Sequence, residues 1–207
     1  MKAPVLWTIL ILCGYLSGSI MFSRKIPIIF GMQDIVENSD DHNPGCSNVF
    51  KLCGVKIGII CLVLDILKGF APVFLSYLFV NVRELPFALA MLAPVLGHAT
   101  APFDSFKGGK CIATSFGVMI ALLPFSRIGF ILAFLYIFFS VVIKIKCHKA
   151  RSIVTYSAFA VISALLLTYR SLISVAAGCV LISTVVIIKH TKLFSNAREK
   201  EETEKNA

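Results

Sequence analysis

Long apolar runs alternate with short polar breaks along almost the whole chain. A helix crossing a bilayer needs about 20 mostly apolar residues. Seven stretches approach that length: 5–22, 57–80, 85–99, 111–125, 128–143, 153–169 and 172–188. The third and fourth are short, so tilt, a break or burial in protein must make up the difference. Lys2 and the small residues at 17–19 imitate a signal peptide, but the run continues through Met21 and Phe22 into Arg24 and Lys25. That stop-transfer pattern predicts a retained helix. The pattern as a whole predicts an all-α, polytopic integral membrane protein with about seven transmembrane helices. It divides into a membrane domain, 1–194, and a charged tail, 195–207, whose alternating Lys and Glu predict a solvated end.

Composition sharpens this picture. Of 207 residues, 57% are hydrophobic and 15% charged, whereas soluble domains carry about 25% charge. The net charge of +9 would suit a nucleic-acid partner only if the cations clustered on a polar domain. They lie instead between apolar runs, so no nucleic-acid partner is expected. Counted in alternate loops, fifteen Lys and Arg fall on one side, and Lys2, Arg83, Arg127 and Arg170 on the other, with Lys68 inside a span. The positive-inside bias predicts an outer N-terminus and a cytoplasmic C-terminus. The seven cysteines form no CxxC pair, which predicts small packing residues, with no disulfide framework, metal site or cofactor.

The long polar connections, 23–56, 97–110 and 144–152, all fall on the predicted cytoplasmic side, where chemistry is therefore expected. In the second, Lys107-Gly108-Gly109-Lys110 precedes an apolar helix. Glycines that bare backbone N–H groups, flanking cations and a helix N-terminus make a recipe for holding phosphate. It is no Walker A loop, since the first glycine is missing and Cys111 stands where Ser or Thr would hold magnesium. Spacing alone leaves open a basic turn that touches anionic lipid headgroups. Asp65 and Lys68 share one helical face inside a span, which fits an ion pair that locks packing or a substrate contact. Gly14 and Gly18 form a GxxxG, read as helix packing.

Further residues fall into a known order. Gly18-Ser19-Ile20 closes the first span, Asn43-Pro44-Gly45-x-x-Asn48 lies in the first loop, and Asp65-Ile66-Leu67-Lys68-Gly69 lies in the second span. Gly97-His98, Phe106-Lys107-Gly108-Gly109-Lys110, Ala113-Thr114, Ser152 and His190 follow. From about Gly14 to His190 the chain resembles the bacterial acyl-phosphate:glycerol-3-phosphate acyltransferase (PlsY) family. The resemblance implies seven helices in a bacterial cell membrane with the active site facing the cytoplasm. It implies transfer of a fatty acyl group from acyl phosphate to the 1-hydroxyl of glycerol 3-phosphate, giving lysophosphatidate and phosphate in phospholipid synthesis. It implies that Lys107, Gly108, Gly109 and Lys110 cradle phosphate and that Asn43, Gly45 and Asn48 shape the first loop. Lys51 stands where the family commonly has Arg, Ser152 matches a serine that contacts phosphate, and His190 matches a site histidine.

The chain departs from the family in two places. Where the family usually reads Gly-Ser-Gly-Asn, this chain has Asp40-Asp41-His42-Asn43, and after His190 it has Thr191-Lys192-Leu193 instead of Arg-Glu-Asn. An aspartate beside a phosphate repels it unless a cation or proton intervenes. Asp41 with His42 could instead supply an acid–base pair, His42 taking the glycerol hydroxyl proton. The acyltransferase reading therefore stands beside two others. One is a non-catalytic relative that binds glycerol phosphate or anionic lipid. The other is a small transporter, suggested only by Asp65 and Lys68.

Overall fold

A computed structural model describes residues 3–205 of the chain, with side chains described through Thr191. Ten α-helices are described: α1 (Ala3–Ser19), α2 (Phe22–Ile29), α3 (Ile35–Asn38), α4 (Cys46–Leu52), α5 (Gly54–Phe79), α6 (Pro86–Thr100), α7 (Ile112–Ala121), α8 (Ile128–Ile137), α9 (His148–Tyr169) and α10 (Ile173–Lys205). No strand occurs among the described residues. The tail expected at 195–207 lies almost wholly in the part of α10 whose side chains are outside the described residues.

Every apolar run became helix, but not every run is one full span. Four helical stretches are long and apolar enough to cross a bilayer: α5, α6 with the 3₁₀ turn after it, α9, and α10 as far as Thr191. A fifth crossing is available if α1 and α2, bent by 47° at their junction, act together. The expected single helix over 5–22 is thus broken. Breaking a helix leaves carbonyls without partners, and here Lys68 Nζ donates to the freed Ile20 carbonyl at 2.6 Å. The run at 111–125 is shorter than the sequence suggests, α7 being 10 residues long, whereas α8 and the π-helical turn that follows it, Phe138–Val142, together match the run expected at 128–143 to within one residue. The polar stretch 23–56 is no open loop either, because it folds into α2, α3 and α4.

The bundle is held together by close backbone crossings. α1 packs on α6, α5 on α7, and α10 on both α9 and α6. A Cβ at Gly18 would stand 1.9 Å from the Pro94 carbonyl oxygen, and one at Gly117 would stand 2.0 Å from that of Ile66. Small residues at such crossings let helices approach in lipid, where dispersion rather than water exclusion drives association. Phe87, Met91, Met119, Leu132, Tyr156, Phe159 and Ile182 fill the centre and are almost fully buried. The rim is apolar too: Leu78, Leu165 and Ile173 are exposed, as expected where lipid rather than water is the solvent.

Asp65 and Lys68 do what the packing reading requires. Their charged atoms lie 2.8 Å apart with side chains 1% and 2% exposed. Ser23 Oγ donates to Asp65 at 2.6 Å. The pair therefore ties α5 to both sides of the α1–α2 break.

Candidate functional site

The irregular segments converge at one end of the bundle around a cavity of about 310 Å³. One wall comes from the first polar stretch through Asn43, Gly45, Cys46 and Ser47. Another is the start of α7, Cys111 to Ala113, with Lys110 just before it. Asp65, His98, Tyr136 and His148 complete the polar lining, and Leu62, Ile66, Ile112 and Phe116 form an apolar side. The cavity thus joins a polar, cationic mouth to a hydrocarbon-like wall.

The Lys-Gly-Gly-Lys loop owes its shape to room more than to backbone freedom. Neither Gly108 nor Gly109 has positive φ. The left-handed residues nearby are Ala101, Ser105, Phe106 and Cys111, with φ of 45°, 56°, 59° and 66°. Such conformations cost non-glycine residues about 1–2 kcal/mol each, so surrounding contacts must impose them. The glycines are needed because a Cβ at Gly108 would sit 2.1 Å from the Ala99 oxygen, and one at Gly109 would sit 2.3 Å from His98 Nε2. The loop is pinned from two sides. Gly109 N–H donates to the His98 carbonyl at 3.1 Å. Lys189 Nζ donates to the carbonyls of Ala99 at 3.0 Å and Gly108 at 3.1 Å. The N-terminus of α7 then opens into the cavity with no side-chain cap, which leaves its first N–H groups for an anion.

Lys110 reaches across to the first polar stretch. Its ammonium lies 2.5 Å from Asp41 Oδ2. The other carboxylate oxygen accepts from Asn48 Nδ2 at 2.8 Å and from the Asn43 N–H at 3.3 Å, while Asn48 also donates to the Asn43 carbonyl at 2.8 Å. Burial pushes the Asp41 pKa up, but the bonds from Lys110 and Asn48 outweigh it and hold the carboxyl below its ordinary value. Asp41 is therefore ionised at neutral pH. A second set of charges braces the same end: Arg24 Nη2 lies 2.7 Å from Asp34, and Arg24 and Lys25 each lie 3.8 Å from Asp104.

The structure gathers some of the expected residues and separates others. Asn43, Gly45 and Lys110 line the cavity, Asn48 is buried behind them, and Gly108 and Gly109 form the loop beneath. Lys107 and Lys51 are exposed, and neither lines the cavity. Asp41 and His42 do not form the expected pair, because among the described residues no hydrogen bond links them. His42 is exposed with φ of 46°, and its Nδ1 engages the Val36 carbonyl at 2.8 Å. Ser152 is fully buried and reaches the cavity lining through Tyr136, whose hydroxyl lies 2.9 Å from Ser152 Oγ, and through the His148 carbonyl, to which it donates at 2.9 Å. His190 is also fully buried, with Nδ1 on the Val186 carbonyl at 2.7 Å and no partner for Nε2. Its ring stacks on that of His148, centroids 6.2 Å apart. The sequence did not single out Lys189, Tyr136 or His148, the last of which reads there as a solvated residue of a basic run. Only the adjacency of Lys189 to His190 at the end of a span hinted at its position.

Fold and site together define a multi-pass integral membrane protein with a cationic, glycine-shaped cavity at one end. Residues 8–200 match the family model described as glycerol-3-phosphate acyltransferase, and the chain belongs to that family. It is 42% identical over 123 residues to the glycerol-3-phosphate acyltransferase of Leptospira borgpetersenii serovar Hardjo-bovis, covering 59% of this chain and 56% of that protein. It is 39% identical over 132 residues to the one from Maridesulfovibrio salexigens, covering 62% and 67%. The aligned stretch thus spans little more than half the length of the Leptospira relative. Similarity in three dimensions extends further. The crystal structure of PlsY, an integral membrane glycerol 3-phosphate acyltransferase, in its glycerol 3-phosphate form matches with a TM-score of 0.78 at 26% identity, covering 94% of this chain and 92% of that one. Its lysophosphatidic acid form matches with a TM-score of 0.77 at 25% identity and the same coverage.

Proposed function

We propose that this protein transfers a fatty acyl group from acyl phosphate to the 1-hydroxyl of glycerol 3-phosphate, releasing lysophosphatidate and inorganic phosphate. The observation that carries the reading is the cavity itself. Lys110 and the open N-terminus of α7 meet an apolar wall in one cleft, which is what a reaction between two phosphorylated molecules, one bearing a hydrocarbon chain, requires. Lys110 and the α7 amides hold phosphate, the Lys107–Gly109 backbone positions them, and the acyl chain lies along Leu62, Ile66 and Phe116. Asn43, Gly45 and Asn48 shape the opposite lip, and Ser152 and His190 support it through Tyr136 and His148. The glycerol oxygen attacks the acyl carbonyl, the bond from acyl carbon to phosphate oxygen breaks, and the departing phosphate takes the hydroxyl proton. No protein nucleophile enters this scheme. Holding the partners together and neutralising their charge supplies the rate. With the charge bias of the loops, the cavity end faces the cytoplasm of a bacterial cell.

The two other readings have less support. Asp65 and Lys68 are tied to each other, to Ser23 and to Ile20, so they do not form a transport path. A non-catalytic relative that binds only glycerol phosphate would not need the apolar wall, and one that binds anionic lipid is separated from the enzyme by the test below. The test is conversion of labelled glycerol 3-phosphate by purified protein in lipid. Labelled lysophosphatidate should form only when palmitoyl phosphate is added. Glycerol 3-phosphate binding without product would favour the non-catalytic relative.

A further inference from the structure

Two acids meet this cavity: Asp65 lines it and is tied to Lys68 and Ser23, whereas Asp41 reaches in from beside it to the lining residue Lys110. Lys110 is the only lysine or arginine among the described residues lining the cavity, and its ammonium is already engaged by Asp41. The Asp41 carboxylate offers what a phosphate offers: one oxygen on the cation, the other accepting from Asn48 and the Asn43 amide. The contact is neither sealed nor free, with side chains 29% exposed for Asp41 and 14% for Lys110. The segment between α3 and α4 that carries Asp41 is irregular, and His42 beside it stands in the left-handed region. Withdrawal of the carboxylate therefore needs a local rotation and breaks no helix.

We propose that Asp41 is a built-in competitor for the phosphate of the substrate, seated on Lys110 until an incoming phosphate displaces it, and so a residue that sets substrate affinity in this chain. The proposal rests on the reading above that this cavity takes a phosphorylated molecule. A phosphate ester carries more charge than a carboxylate, about −1.5 to −2 at neutral pH, so it wins Lys110, but only after the existing pair is broken. Asn48 and the Asn43 amide, released by Asp41, are then donors for the newcomer. Substrate affinity is lowered by the competition, and release of a phosphorylated product is eased because the carboxylate returns.

Binding of glycerol 3-phosphate and of inorganic phosphate to the full chain in detergent, measured by calorimetry, tests this. Asp41→Asn keeps the side-chain volume and an oxygen that can accept from Asn48, while removing the competing charge. It should tighten binding of both anions by about tenfold, equivalent to about 1.4 kcal/mol, and lower the KM for glycerol 3-phosphate. Asp41→Ser should do the same and serves if the first variant folds poorly. Lys110→Ala should remove most of the binding in either background. Equal or weaker binding in both Asp41 variants, with wild-type protein binding normally, overturns the competitor and leaves the phosphate site standing. Absence of binding to wild type and variants alike overturns both.

Discussion

The protein contains two aspartate–lysine pairs of almost the same length and opposite character. Asp65–Lys68, at 2.8 Å, is 1–2% exposed and has its remaining bonds filled by Ser23 and the Ile20 carbonyl. Asp41–Lys110, at 2.5 Å, is partly open, and here it is the lysine that lines the cavity, whereas in the first pair it is Asp65. The difference teaches that chemistry alone does not tell a lock from a latch. A buried pair braced by further hydrogen bonds is strongly destabilising to break, because the survivor is stranded without water. A half-exposed pair contributes little to stability, and its lysine can be taken over by another anion. One pair holds a broken helix together, and the other joins the start of α7 to the first polar stretch.

The comparison breaks first at its buried half. Lys68→Met should leave the Asp65 charge without its counter-ion and the Ile20 carbonyl with only the Phe22 N–H, costing about 3–5 kcal/mol, and thermal melts in detergent should show a large drop in Tm and yield. The double variant Asp65→Asn with Lys68→Met should recover part of that loss. A smaller effect is expected at the loop that presents Lys110. A methyl at Gly108 collides with the Ala99 carbonyl and must displace Lys110, so Gly108→Ala should cut turnover by about 100-fold, as a misplacement near 1 Å does, while Tm changes little. A smaller one still belongs to the open pair itself: Asp41→Asn should move stability by less than about 1 kcal/mol, even as it changes phosphate affinity.

The smallest effect concerns pH. Burial pushes the Asp34 pKa up, but the hydrogen bond from Arg24 outweighs it and leaves the carboxyl below its ordinary value. A lowered folded pKa means that this stabilisation is present above about pH 4 and is lost as pH falls through the folded value. Asp34→Asn should therefore lower Tm slightly at pH 7, and the difference should shrink as pH falls below about 4, which paired melts would show.

Much of this architecture was legible in the sequence because lipid imposes a simple grammar. Apolar runs had to be helices, and the seven runs are all helical. The Lys-Gly-Gly-Lys segment was marked by residue type and by its position before a helix, and the structure brings its Lys110 to the cavity while Lys107 stays outside the lining. The break after Ser19 was half legible: the small residues at 17–19 marked the end of the run, but the bond from Lys68 to the Ile20 carbonyl joins residues 48 positions apart. The purpose of Gly108 and Gly109 was half visible: small residues were required, but for the approach of Ala99 and His98 rather than for left-handed φ. Asp41 and His42 invited pairing as neighbours. Only the fold shows that the partner of Asp41 is Lys110, 69 residues away, while His42 turns to Val36. Lys189 and Tyr136 carried no local signal, because their roles lie in what they brace.

The central claim is that Lys110 holds the phosphate of a substrate during acyl transfer. The direct measurement is palmitoyl-phosphate-dependent formation of lysophosphatidate from glycerol 3-phosphate, comparing wild-type protein with a well-folded Lys110→Ala variant. Loss of the preorganised charge should lower kcat/KM by about 100-fold or more. Turnover by Lys110→Ala at the wild-type rate would contradict the account.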